Sequence, residues 1–274
     1  MNIANGSKKK GLAEVIVITS GKGGTGKTTT TASLGAALAM AGKRTLLIDA
    51  DIGLRNLDVI LGLENRIVFN LVDVAKGVCK PEQATIKSKK SPNLFLLPAS
   101  QTDDKDVISE QEVKDVIEQY RREFHFILID SPAGIEQGFR NAFCAAERAI
   151  VVSTPEVSAI RDADRVVGLL SAEGLDVNLL INRIDYSMVS RGDMLSVDDV
   201  QEILGLELIG VVERDDNIII AANCGEPVVY NTKAKSGRAY TDVAARLCGN
   251  NIPINTRNSG SIFARIGRRF GMAS

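Results

Sequence analysis

The 274-residue chain predicts an α/β fold, a mainly parallel sheet covered by helices on both faces. Three observations lead there. Short apolar runs alternate with amphipathic stretches along most of the chain. The runs carry Val, Ile and Leu on both faces, as strands do when helices cover both sides. One run opens into a glycine-rich turn followed by a helix-compatible segment, the order in which chains build phosphate-binding sites.

The elements follow in chain order. The β-rich run 15–19 is the first strand, and 27–41, nearly free of charge, is the first helix. Further strands are expected at 45–49, 94–97, 126–130, 149–153, 178–182 and 208–212, and further helices at 71–75, 110–121, 159–171, 197–204 and 239–247. Ser109 with Glu112 makes a capping box before the helix at 110. One domain over 12–249 is expected, after a polar extension at 1–11 that has three lysines. Residues 250–260, with proline, glycine and asparagines, read as a flexible linker to a tail at 261–274. No internal repeat is evident.

Composition narrows the function classes. The chain is 45% hydrophobic and 24% charged, with a formal net charge of -1, as expected of a soluble domain with a large core. No stretch is apolar enough to span a bilayer, and the first eleven residues lack the apolar segment of a secretory signal. A cytoplasmic location is therefore expected. Cys79, Cys144, Cys224 and Cys248 are scattered without a Cys-x-x-Cys pair, which argues against a zinc or iron–sulfur site within one chain. Tryptophan is absent and aromatics are 4%, which argues against a stacking platform for single-stranded nucleic acid.

The chemistry begins at Gly21-Lys22-Gly23-Gly24-Thr25-Gly26-Lys27-Thr28, a glycine, four residues, then Gly-Lys-Thr. In this P-loop pattern backbone N–H groups cradle phosphates, the lysine reaches the β- and γ-phosphates and the hydroxyl holds Mg²⁺. Lys27 and Thr28 stand at those places, and Thr29 follows. Ligands of open α/β sheets bind beyond the carboxyl ends of strands. Those ends carry Asp49-Ala50-Asp51 with Asn56 and Asp58 after it, then Asp130-Ser131-Pro132, then Asn182-Arg183. Thr28 with Asp130 would hold Mg²⁺, Asp49 would support its shell through water, and Asp51 would position an attacking water. Asp49 and Asp51 could instead cap a turn or helix, and Asn56 could be a turn former. Asn182 could meet a purine edge or hold its own loop. Two roles are open to Lys22: a surface charge, or a finger reaching a nucleotide held by a second copy.

These residues resemble a known class. Lys22-Gly23-Gly24-x-Gly26-Lys27-Thr28-Thr29 is similar to the deviant Walker A motif of the dimerising ParA/MinD class of P-loop ATPases. The stretches 48–58, 61–66, 129–136, 154–156, 161–165 and 225–227 resemble the cell-division regulators of that class, so the likeness spans nearly the whole chain. It implies a P-loop NTPase fold, Mg²⁺ and ATP as ligands, and a slow ATPase controlled by partners or membrane. It casts Lys22 as a lysine acting across an ATP-bound homodimer and Lys27 as the Walker lysine. It makes Thr28 the Mg²⁺ ligand, Asp51 the water-orienting residue, Asp130 the switch residue and Asn182 an adenine contact. Binding at the inner face of the plasma membrane is implied, with recruitment of the division inhibitor MinC against polar FtsZ rings. Release is implied through MinE or, in other bacteria, a polar scaffold. Two positions depart from the class: Thr25 replaces a usual valine, and Glu213 a frequent proline near the adenine pocket.

The end of the chain is a second signal. No acidic residue follows Asp242, while Arg246, Arg257, Arg265, Arg268 and Arg269 do. On a helical wheel Ile262, Phe263, Ile266 and Phe270 share one arc, Arg265 and Arg268 lie away from it, and Arg269 flanks it. That is a short basic amphipathic helix suited to an anionic lipid surface; a terminal helix docked on the core is the plainer alternative. Interleaving of the basic residues with large apolar ones favours lipid over nucleic acid as main partner. A ParA-type DNA-segregation ATPase and a flagellar-number regulator are the competing functions.

Overall fold

The computed structural model describes residues 11–256 except 105 and 136. The candidate membrane residues Ile262, Phe263, Arg265, Ile266, Arg268, Arg269 and Phe270 lie outside the described residues, as do 1–10.

Among the described residues the order is β1 (Glu14–Thr19), α1 (Lys27–Met40), β2 (Thr45–Asp49), α2 (Leu57–Ile60), α3 (Leu71–Ala75), α4 (Pro81–Ala84), β3 (Ile86–Lys87), β4 (Leu94–Leu97) and α5 (Glu110–Tyr120). There follow β5 (Phe126–Asp130), α6 (Gln137–Phe143), β6 (Arg148–Ser153), α7 (Val157–Ala172), β7 (Asp176–Ile184), α8 (Tyr186–Arg191), α9 (Val197–Leu204), β8 (Glu207–Glu213), α10 (Asn217–Asn223) and α11 (Lys235–Leu247). The sheet order is β3-β4-β2-β5-β1-β6-β7-β8. Every pairing is parallel except β3 with β4.

The period-two geometry of a strand explains the two apolar layers. Val15 and Val17 of β1 face one core with Val113 and Ile117 of α5 and Ile160 of α7. Ile16 and Ile18 face the other with Leu34 and Leu38 of α1 and Tyr240 of α11. Strand β1 therefore has no polar face to show. The charge-poor α1 is buried through most of its length, which is why it needs no polar stripe.

The strands expected at 45–49, 94–97 and 126–130 have the observed bounds, and those of β1, β6 and β8 extend by one or two residues. Strand β7 corrects the expected end at Asn182. It continues to Ile184, with its pairing to β8 interrupted between Ile181 and Ile184 and Arg183 at φ 58. The helices at 71–75 and 197–204 stand as expected. Helix α11 begins four residues earlier than its expected start at 239, and α7 starts at 157 instead of 159. Helices α2, α4, α6, α8 and α10 and the edge strand β3 were not expected; each is seven residues or fewer. Beyond α11 the guanidinium of Arg246 donates to the carbonyls of Ile209, Ile252 and Pro253, which lays the start of the 250–260 segment against β8 and α11.

Candidate functional site

Parallel pairing brings the site together. Strand β5 lies between β1 and β2, and Asp130 sits in register with Ile18 on one side and Asp49 on the other. The carboxylates of Asp49 and Asp130 therefore come from adjacent strand ends, beside the loop that leaves β1. The loop then enters α1 at Gly26, whose φ of 97° is left-handed and suits only glycine without strain. Gly21 is required for a different reason. A Cβ there would stand 2.1 Å from the backbone carbonyl carbon of Asp162, because α7 closes directly on the loop.

Lys27 is buried at 8% exposure and its Nζ donates to Ser20 Oγ at 3.0 Å. Burial pushes its pKa down, while Asp130 and Asp51 pull it back up. Ser20 also donates to the Lys22 carbonyl at 2.7 Å, so one hydroxyl ties the start of the loop to its lysine. Asp130, 2% exposed, accepts from Thr31 Oγ1 at 3.0 Å and from the Thr28 hydroxyl. Its pKa is raised by burial, against the hydrogen bonds from Thr28 and Thr31 and the charge of Lys27. Asp49 is raised by burial and then by Asp130. Both Asp49 oxygens accept backbone N–H groups, from Asp51 at 3.0 Å and Leu57 at 3.2 Å. Asp49 thus pins the segment that carries Asp51, the turn-holding role left open from the sequence.

Asp51 lies two residues beyond β2, and its carbonyl accepts from the N–H groups of Leu54 and Arg55. It also lines a cavity of about 20 Å³ with Pro132, Gly138 and Asn141. Asn56 is exposed and precedes α2 without capping it through its side chain. Lys22 turns out of its own loop. Its Nζ donates to Ser158 Oγ at 3.1 Å and lies 3.8 Å from Glu156, and its side chain is 39% exposed. An open groove of about 900 Å³ runs beside Glu156, lined also by Arg183, Met194, Arg214, Asp215 and Ile219. Asn182 is 2% exposed and donates from Nδ2 to the Thr25 carbonyl at 2.8 Å. Ser20 and Thr31 were missed from the sequence. Thr31 was findable, since it stands one helical turn after Lys27 on the same face.

The donor set fits a nucleotide with Mg²⁺. The described residues hold no cluster of three or more His, Cys, Asp or Glu that could cage a metal. One hydroxyl and one carboxylate at Thr28 and Asp130 suit an ion that keeps waters and takes its remaining ligands from phosphate. Gly23 and Gly24 leave open space where side chains would stand, as backbone N–H groups facing a phosphate require.

The family model CbiA, described as CobQ/CobB/MinD/ParA nucleotide binding domain, matches residues 16–228. The chain belongs to this family. It is 47% identical over 269 residues to the septum site-determining protein MinD of Bacillus subtilis (strain 168), covering 96% of this chain and all of the relative. Among solved structures, one from the MinC:MinD cell division protein complex of Aquifex aeolicus matches with a TM-score of 0.84 at 50% identity, over 89% of this chain and 98% of the other. A MinD from Pyrococcus horikoshii OT3 complexed with Mg-ADP matches with a TM-score of 0.79 at 31% identity, over 86% and 96%. Nucleotide and Mg²⁺ binding and NTPase chemistry follow from membership and from the fit of the donor set. No helix of the described residues is long and apolar enough to cross a membrane.

Proposed function

We propose that the chain is an ATPase switch that places the division septum. It dimerises with ATP, binds the inner face of the plasma membrane peripherally through its tail, and recruits MinC so that FtsZ rings do not form near the poles. The observation that carries this reading is the convergence of Lys27, Thr28 and Asp130 at the loop of a chain that matches septum site-determining relatives over nearly its whole length.

In this reading the backbone of residues 21–26 and Lys27 bind the phosphates, and Thr28 and Asp130 hold Mg²⁺. When bound there, Mg²⁺ would supply charge neutralisation for the transferred phosphoryl group. Thr29 continues the cradle into α1, and Asp51 orients the attacking water. Asn56, Asn182 and Arg183 belong to the nucleotide's surroundings, with the adenine toward the groove beside Arg183 and Asp215. Asp49 supports the Mg²⁺ shell through water, besides holding the segment that carries Asp51. The exposure of the Lys22 side chain, 39% beside Glu156, supports its reaching a second copy's nucleotide. The tail residues Ile262, Phe263, Ile266 and Phe270 enter the lipid while Arg265, Arg268 and Arg269 meet anionic headgroups. Release follows hydrolysis, driven by MinE or a polar scaffold.

The test is sedimentation with anionic liposomes in ATP or ADP, with MinC present. Sedimentation of both proteins in ATP and of neither in ADP is expected. Salt-sensitive DNA binding without liposome binding would favour the DNA-segregation alternative.

A further inference from the structure

Asp58 is a buried carboxylate on α2, 1% exposed, with Arg55 Nε 2.9 Å from its Oδ2. Burial raises its pKa, and the charge of Arg55 is the largest effect that lowers it. Arg55 itself stands at a left-handed φ of 43°. Such a backbone is uncommon for a residue with a Cβ and persists only where the surroundings hold it. Here the ion pair supplies the hold, with the Arg55 side chain only 18% exposed beside Asp58.

The pair joins a loop to a fixed support. The loop is 51–56, which carries Asp51. Asp49 accepts from the N–H groups of Asp51 and Leu57, so both ends of the loop are tied to one carboxylate. Between them the Gly53 N–H donates to the Ser100 carbonyl at 2.8 Å. The support is α2. Leu57, Leu61 and Leu63 seat it in the core that α1 and α11 share. Its end meets the end of α10 backbone to backbone. A Cβ on Gly62 would stand 2.9 Å from the Gly225 carbonyl oxygen, and one on Gly225 would stand 2.9 Å from Gly62 Cα. That contact has no flexible side chain to yield. We infer that Arg55 and Asp58 are positioning residues for hydrolysis: their ion pair latches the loop to α2 and so holds Asp51 where it orients the attacking water. This rests on the proposed role of Asp51 and deepens it. The latch acts through Asp51 and not by contact with the nucleotide.

The experiment measures Mg-ATP hydrolysis and Mg-ADP affinity for the full chain, Asp58→Asn and Arg55→Gly, with limited trypsin digestion of the parent and Asp58→Asn. Glycine accepts a φ of 43° without strain, so Arg55→Gly removes the ion pair and keeps that backbone accessible should Asp58→Asn fold poorly. The latch predicts that kcat falls about tenfold to a hundredfold in both variants, as small misplacement at a reacting centre does. KM and Mg-ADP affinity should stay within about twofold of the parent. Trypsin should cut Asp58→Asn after Arg55 about tenfold or more faster than the parent, because losing a buried partner releases that segment locally. A parent-like kcat in both variants overturns the latch. So does an equal loss of Mg-ADP affinity, which makes the pair a support of the nucleotide site as a whole. Unaltered cleavage after Arg55 in a slow Asp58→Asn also overturns it. Asp51→Asn separates the latch from the reading it rests on: parent-like hydrolysis by that variant overturns the role of Asp51 itself.

Discussion

At position 25 a threonine hydroxyl is buried at 2% exposure and has no hydrogen-bond partner. The resemblance expects valine there, which has the same shape without the polar atom. An unsatisfied buried hydroxyl costs about 1–3 kcal/mol. Thr25→Val should therefore raise the Tm of the nucleotide-free protein, by about 2–4 °C per kcal/mol in a domain of this size, and leave the Asn182 bond to its backbone in place. An unchanged or lower Tm would mean that the hydroxyl finds a partner in solution. The neighbouring carboxylates differ in kind from Thr25. Asp49 and Asp130 are buried with their pKa raised, a destabilising arrangement in the free protein that a divalent cation would relieve.

At the scale of elements, α7 is what closes the loop from above. Its Asp162–Ala163 backbone leaves no room for a Cβ on Gly21. Because the obstacle is backbone, neither side can yield cheaply, and overpacking of this kind costs about 1–3 kcal/mol or more. Gly21→Ala should lower the Tm and weaken Mg-ADP binding together, read from melts with and without nucleotide. An unaltered melt would show that α7 is free to move off the loop. This contact also marks the limit of sequence reading. Strands 45–49, 94–97 and 126–130 were legible because apolar runs of fixed length bounded by turn residues carry their own signal. The motif gave Lys27, Thr28 and Asp130 because strand ends and glycine spacing are local. Gly21 against Asp162, and Asn182 against Thr25, are set by which strands neighbour β1, and no local pattern encodes that. The short helices α2, α4, α8 and α10 span too few turns for a 3.6-residue period to register.

At the scale of the whole molecule, the proposed function sets phosphate chemistry and membrane attachment at opposite ends of the sequence, and the two need a physical link. Ten residues, the length of the 261–270 segment, are too few for a helix to be stable alone in water. Each of its arginines contributes about 1 kcal/mol near an anionic surface, so a single copy binds weakly. Two copies carried by one dimer bind as a linked pair, and effective concentration raises avidity by about 10²–10⁴-fold without any new contact. On the proposed function, dimerisation with ATP would then act as a membrane switch. Removing residues 261–274 should abolish ATP-dependent sedimentation with anionic liposomes and leave Mg-ATP binding intact, because the loop, Asp130 and Asn182 all lie within the sheet domain. Fusing the same segment to an unrelated obligate dimer should restore liposome binding without nucleotide, and fusing it to a monomer should not. Equal binding by both fusions would place the switch in exposure of the tail instead of its copy number.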